Sequence, residues 1–132
     1  MNLIGVVAAL ATFLSVWFGH VAVRKIEFIS PTIWIPSTLF TILGLMAGYL
    51  SISTANRSLS TALGIFCITL LFDALELRRQ QNRVKKGHAP ANPNNPRHAR
   101  ILTEFPWATT VDLLKREPVD HSTLAQKATT TH

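Results

Sequence analysis

The sequence is poor in charge. Only 15% of its 132 residues are Asp, Glu, Lys or Arg, where a soluble domain carries about 25%. It has one cysteine, Cys67, so an intramolecular disulfide is impossible and no Cys/His spacing suits a zinc site. There is no phosphate loop, no metal box and no pairing of a nucleophile with a base, so an enzyme would lack a visible site. Sustained alternation of apolar and polar residues is also missing, which excludes membrane strands. Neither a cofactor nor a metal is expected.

What the chain has in quantity is apolar residues, 48% of the total, and they are unevenly placed. Through Leu77, the cations Arg24, Lys25 and Arg57 balance Glu27, Asp73 and Glu76, and the net charge of +6 falls entirely beyond that point. An apolar block is thus followed by a basic, water-facing tail. Three runs in the block approach the ~20 residues that a helix needs to cross a hydrocarbon core: residues 3–23, 33–52 and 58–77. Backbone polar groups in lipid must be satisfied within their own segment, so each run is expected to be helical. The third should continue as helix out of the membrane to residue 86, ahead of Gly87 as C-cap. The expected fold is an all-α membrane protein with three transmembrane helices, a cytoplasmic helical extension and a mostly irregular tail. The division falls between a three-span domain, 1–87, and a linker and tail, 88–132. Ser30-Pro31 and Ile35-Pro36 bracket the start of the second helix, and Ser53 to Asn56 makes a polar turn before the third. The first run reads as a span and not a secretory signal. Met1-Asn2 carries no positive side chain, and Arg24-Lys25 stands where a small-residue cleavage site would be needed.

Orientation follows from the basic residues. Arg24 and Lys25 follow the first span, and Arg78, Arg79, Arg83, Lys85 and Lys86 follow the third. Three spans put both groups on one side, which the positive-inside rule makes cytoplasmic. The N-terminus is then outside. The five cations after the third span immediately leave the membrane, where they set orientation and contact lipid headgroups. No nucleic-acid recognition fold fits in the tail, so membrane lipids and not nucleic acid are the expected partners.

Two stretches carry a resemblance. Gly19-His20-Val21-Ala22-Val23-Arg24-Lys25-Ile26-Glu27-Phe28 is similar to the first-loop signature of a family of small bacterial integral membrane proteins. Glu76-Leu77, Gln80, Arg83-Val84-Lys85-Lys86-Gly87 and Pro90-Ala91-Asn92-Pro93 resemble the closing signature of that family. The likeness covers about the first 96 residues, and the closing signature is the more specific because its spacing holds over eighteen positions. The chain departs from the family pattern at Val21, where proline is common, and at His88, where tryptophan is. The family is known only as a domain of unknown function, so the resemblance implies a bacterial inner-membrane protein and no activity.

Five residues form a candidate polar cluster: His20, Lys25, Glu27, Asp73 and Glu76. Asp73 lies five residues before Arg78, or about 7 Å deep at 1.5 Å per residue, and is the deepest of the carboxylates by this count. Ionisable groups in a membrane helix are costly and commonly pair. The cluster supports either a proton- or cation-responsive site or a structural clasp, and the boundary position favours the clasp because snorkelling makes it cheap. Gly44 and Gly48 give the second span a GxxxG spacing that lets backbones approach, inside one bundle or across a dimer. Trp34 suits an interface anchor, and Cys67 reads as a small apolar residue.

In the tail, the Pro/Asn-rich stretch from Ala89 to Pro96 reads as an extended linker. Trp107, Val111 and Leu114 fall on one side of a short amphipathic helix predicted over 106–116, opening on Pro106. The stretch 119–132 is polar, Thr-rich and expected to be disordered. The functional expectation is a structural or accessory subunit that associates through its helices, as a homo-oligomer or in a larger membrane complex. The alternative is a small homo-oligomeric transporter or channel-like protein using His20, Asp73 and Glu76.

Overall fold

The computed structural model describes residues 3–115. Among the described residues, four α-helices follow in order: α1 (Ile4–Ile29), α2 (Trp34–Ser53), α3 (Arg57–Lys85) and α4 (Pro96–Glu104), with a 3-10 turn at Leu113–Lys115. At 26, 20 and 29 residues, the first three would span about 39, 30 and 44 Å, against a hydrocarbon core of about 30 Å. All three are long and apolar enough to cross a membrane.

Helix ends follow local chemistry. α1 runs past Arg24 to Ile29 because no breaker intervenes before Pro31. Ser30 then turns extended, at φ −74° and ψ 127°, as a residue before proline must. α3 opens on Asn56, whose side chain accepts from the Leu59 N–H at 3.1 Å. It closes on Gly87 at φ +71°. There the His88 N–H reaches the Arg83 carbonyl at 2.8 Å and the Gly87 N–H reaches Val84 at 3.0 Å, the paired bonds of a Schellman cap.

α3 is the spine. α1 and α2 each pack along it and hardly touch one another. The buried stripe of α1 is Ala11, Ser15, Gly19, Val23 and Glu27, one residue every fourth position, and that of α2 is Ser37, Gly44 and Ala47. Such small residues let backbones approach where no hydrophobic drive separates helix from lipid. Hydroxyls cross both seams: Ser15 to Thr69 at 3.2 Å, and Ser37 Oγ to the Ala74 carbonyl at 2.8 Å.

The chain after α3 differs from the sequence expectation. Residues 88–95 are irregular, yet they are docked and not extended: Ala89 and Ala91 pack with Val84 and Ile101 into a small core that Leu102, Phe105 and Ala108 flank. The tail helix is α4 and not 106–116. Asn95 caps α4 by accepting from the Arg97 N–H at 3.0 Å, and Pro96 takes the first turn, where its missing N–H is harmless. Pro106-Trp107 instead forms a turn. The Thr109 hydroxyl accepts from the Val111 N–H at 3.2 Å, a local bond that competes with helix, and Trp107 is 77% exposed. Residues 116–132, including the end of the expected amphipathic helix and the expected disordered stretch, lie outside the described residues.

Candidate functional site

The last carbonyls of any helix have no partner within it. At the end of α1 the tail supplies them. Asn95 Nδ2 donates to the Phe28 carbonyl at 3.1 Å and the Ser30 carbonyl at 2.9 Å, and Asn92 Nδ2 donates to Phe28 at 3.2 Å. Arg97 Nε reaches the Ser30 carbonyl at 3.3 Å, and its Nη2 donates to the carbonyl of Glu27.

At the centre of this clasp is the Glu27 side chain, only 1% exposed. Its Oε1 accepts from Arg97 Nη1 and bonds His98 Nε2, both at 2.9 Å. His98 is fully buried, and its Nδ1 accepts from the Asn92 backbone N–H at 2.8 Å. That bond assigns the ring proton to Nε2, which donates to Glu27. The side chains of Glu27, Asn92, Asn95, Arg97 and His98 bond one another or the last carbonyls of α1, so the arrangement binds the tail to α1.

The five residues of the expected cluster come together in part: His20, Lys25 and Glu27 border one groove, and His20 and Asp73 border another. Glu27 joins the tail. Glu76 pairs with Arg79 at 3.4 Å and Arg83 at 3.2 Å. Lys25 is exposed and makes no ion pair among the described residues. His20, also exposed, and Asp73 line one small cavity with Thr69 and Phe72, with no hydrogen bond between them. The Asp73 carboxylate instead sits over Gly19, where a Cβ would lie 2.5 Å from Oδ2. Counting depth along the helix singled out Asp73, but Glu76 is as buried and Glu27 more so, because neighbouring elements cover them as effectively as depth would.

Gly44 and Gly48 both face α3, against Leu71 and Cys67. Of the cations expected to meet lipid headgroups, four have partners within the chain. Arg78 lies over the Trp34 ring at 4.9 Å, Arg79 over Phe72 at 5.1 Å, and Lys85 over Phe105 at 4.9 Å. Arg83 reaches Glu76 and, at 3.3 Å, Gln80 Oε1. Lys86 stays exposed. Sequence reasoning missed Arg97 and His98. The signal that could have found them is Asn95-Pro96, a cap residue followed by a first-turn proline. Among the described residues, no group of three or more His, Cys, Asp or Glu could hold a metal ion.

Three long apolar helices, the first tied at its end to the tail by a polar clasp, define the class: a small all-helical protein suited to the membrane. Within that class the chain belongs to the family described as a domain of unknown function (DUF4491), which matches residues 2–95. The match takes in the three long helices, Glu27, Asn92 and Asn95, and stops just short of Arg97 and His98. No curated protein and no solved structure matches the chain.

Proposed function

We propose that the protein is a three-span protein of the bacterial inner membrane, with its N-terminus outside and its C-terminus in the cytoplasm. Its role is that of a structural or accessory subunit, associating through its helices with copies of itself or within a larger membrane complex. The observation that carries this reading is the open helix layer. Because α1 and α2 meet α3 and hardly each other, long faces bearing Phe13, Trp17, Phe18, Leu45 and Tyr49 stay exposed. Lipid can cover them, but narrow small-residue seams gain van der Waals contact from a further helix. The basic residues at the ends of α1 and α3 support the orientation.

The role is taken as non-enzymatic, since the two most buried polar side chains, His98 and Glu27, bond each other. A transport role would need a polar path through the half of the spans remote from the basic end. There the hydroxyls of Thr12, Ser51, Ser60 and Thr61 are bonded to the carbonyls of Ala8, Ser60, Ser51 and Arg57, which argues against such a path.

Two measurements test the reading. A reporter fused after His132 should be active only in its cytoplasmic form. Cross-linking in native membranes, followed by mild-detergent purification, should recover the chain with itself or with other membrane chains. Activity of a periplasmic reporter would overturn the orientation, and a bare monomer after cross-linking and purification would overturn the subunit role.

A further inference from the structure

A groove between the end of α1 and the α3–tail junction has a chemistry that the clasp does not use. It encloses about 370 Å³, and Arg24 and Lys25 line it. Both are exposed, and neither has an ion pair among the described residues. The nearby carboxylates are already taken. Glu27, which also borders the groove, holds Arg97 and His98, and Glu76 holds Arg79 and Arg83. A second observation points to a ligand. Gln80 lines the same groove and is only 6% exposed. Its Oε1 accepts from Arg83, which leaves the Nε2 donor with no partner among the described residues. No fully buried side-chain N or O among the described residues lacks a partner, so this donor stays accessible and open to a ligand in the groove. Two cations and an N–H donor, without partners among the described residues, thus border one groove together with His20 and the apolar walls of Val21, Phe28 and Pro90.

We propose that this groove binds the phosphate of an anionic phospholipid. Arg24 offers its planar fork and Lys25 a point charge to the phosphate oxygens, and Gln80 Nε2 donates to the same group. The apolar walls and the adjoining lipid-level face of α1 suit an acyl chain, which a free phosphate does not have. Basic pockets beside membrane helices on the cytoplasmic side are suited to such headgroups. The inference rests on the reading that α1 to α3 span the membrane.

The test uses the full chain in vesicles of phosphatidylcholine mixed with phosphatidylglycerol, extracted in mild detergent so that bound lipid can be counted. Phosphatidylglycerol should be enriched over the bulk. Each cation near the surface is worth roughly fivefold, so R24Q/K25Q should lose roughly twenty- to thirtyfold of that enrichment. K86Q, also exposed and outside the groove, should lose no more than the roughly fivefold of one surface cation. V21W fills the groove while retaining all charges, and it too should lose the enrichment. An unchanged R24Q/K25Q, or an equal loss in K86Q, would overturn the site. Retention in V21W would reduce it to diffuse surface charge and also overturn it. Displacement of the lipid by inorganic phosphate would assign the groove to a soluble phosphate and overturn the lipid reading. Carbonate extraction of the same vesicles separates the two levels: a chain washed off overturns the spanning reading, whereas an inserted chain without lipid preference overturns only the groove.

Discussion

Glu27→Ala is the sharpest perturbation of the clasp. It removes the one oxygen shared by Arg97 Nη1 and His98 Nε2 and leaves a guanidinium, only 12% exposed, without its counterion. Breaking one side of a buried ion pair costs roughly 3–5 kcal/mol. The backbone acceptors at Glu27, Phe28 and Ser30 remain, as do the small-residue seams of the three long helices. The loss should therefore appear as opening of residues 88–104 and not as unfolding of the whole chain. Glu27→Gln keeps an acceptor in place and removes only the charge. Hydrogen bonds to charged groups are worth ~1.5–3 kcal/mol against ~0.5–1.5 for neutral ones, so two weakened bonds should cost about 1–3 kcal/mol. Amide hydrogen exchange reads this directly at Ala91, whose N–H bonds the Thr109 carbonyl at 2.8 Å, and at Asn92, whose N–H bonds His98. Where exchange proceeds through local opening, each 1.4 kcal/mol is about tenfold in rate. The Ala variant should accelerate both amides by roughly 10²- to 10³-fold, and the Gln variant by roughly 5- to 100-fold. Unchanged rates in Glu27→Ala would refute the clasp. Acceleration in α2 equal to that in 88–104 would show that Glu27 supports the whole fold instead.

Two further substitutions probe close approaches. Gly19→Ala should loosen the α1–α3 seam by about 1–3 kcal/mol through overpacking, since its Cβ would meet both oxygens of Asp73 at 2.5 and 2.9 Å. Adding Asp73→Ala should restore part of the loss in a denaturing-detergent titration, and strictly additive losses would refute the contact. Gly87→Ala should cost at least the ~1–2 kcal/mol of a left-handed L-residue, because Gly87 sits at φ +71° and a Cβ would run into the Trp107 carbonyl. Limited proteolysis should then cut within 105–110 faster than in the parent chain, and an equal rate would show that the turn is held elsewhere.

The three long helices were legible because crossing a hydrocarbon core demands a run of apolar residues that no other structure needs. Their basic ends were less so. The first apolar run stops at Val23 ahead of Arg24, yet a charge ends a span and not a helix, and only Ser30-Pro31 ends α1. The tail misled for the opposite reason. Trp107 and Val111 have helical spacing yet stay exposed, while Ile101 and His98 find Val84 and Glu27. Partners some 70 positions apart leave no local sign in a sequence. Glu27 could be nominated as a polar residue near the interface, but Arg97 and His98 could not be assigned to it without the fold.

The geometry of the clasp has a consequence for association. α3 runs unbroken from the seam with α1, through Asp73 beneath Gly19, into the junction at Gly87, and the tail then returns to grip the end of α1. The relation of α1 to α3 is therefore fixed twice: along the apolar stretch by small residues, and beyond it by Glu27, Arg97 and His98. α2 is anchored differently, through the reciprocal Ser51–Ser60 bonds at one end and Arg78 over Trp34 at the other. A helix that docks on the open faces would meet a preset surface and would not have to order one. Because preorganisation lowers the entropic cost of binding, loosening the clasp should weaken association even though no clasp residue touches the docking face.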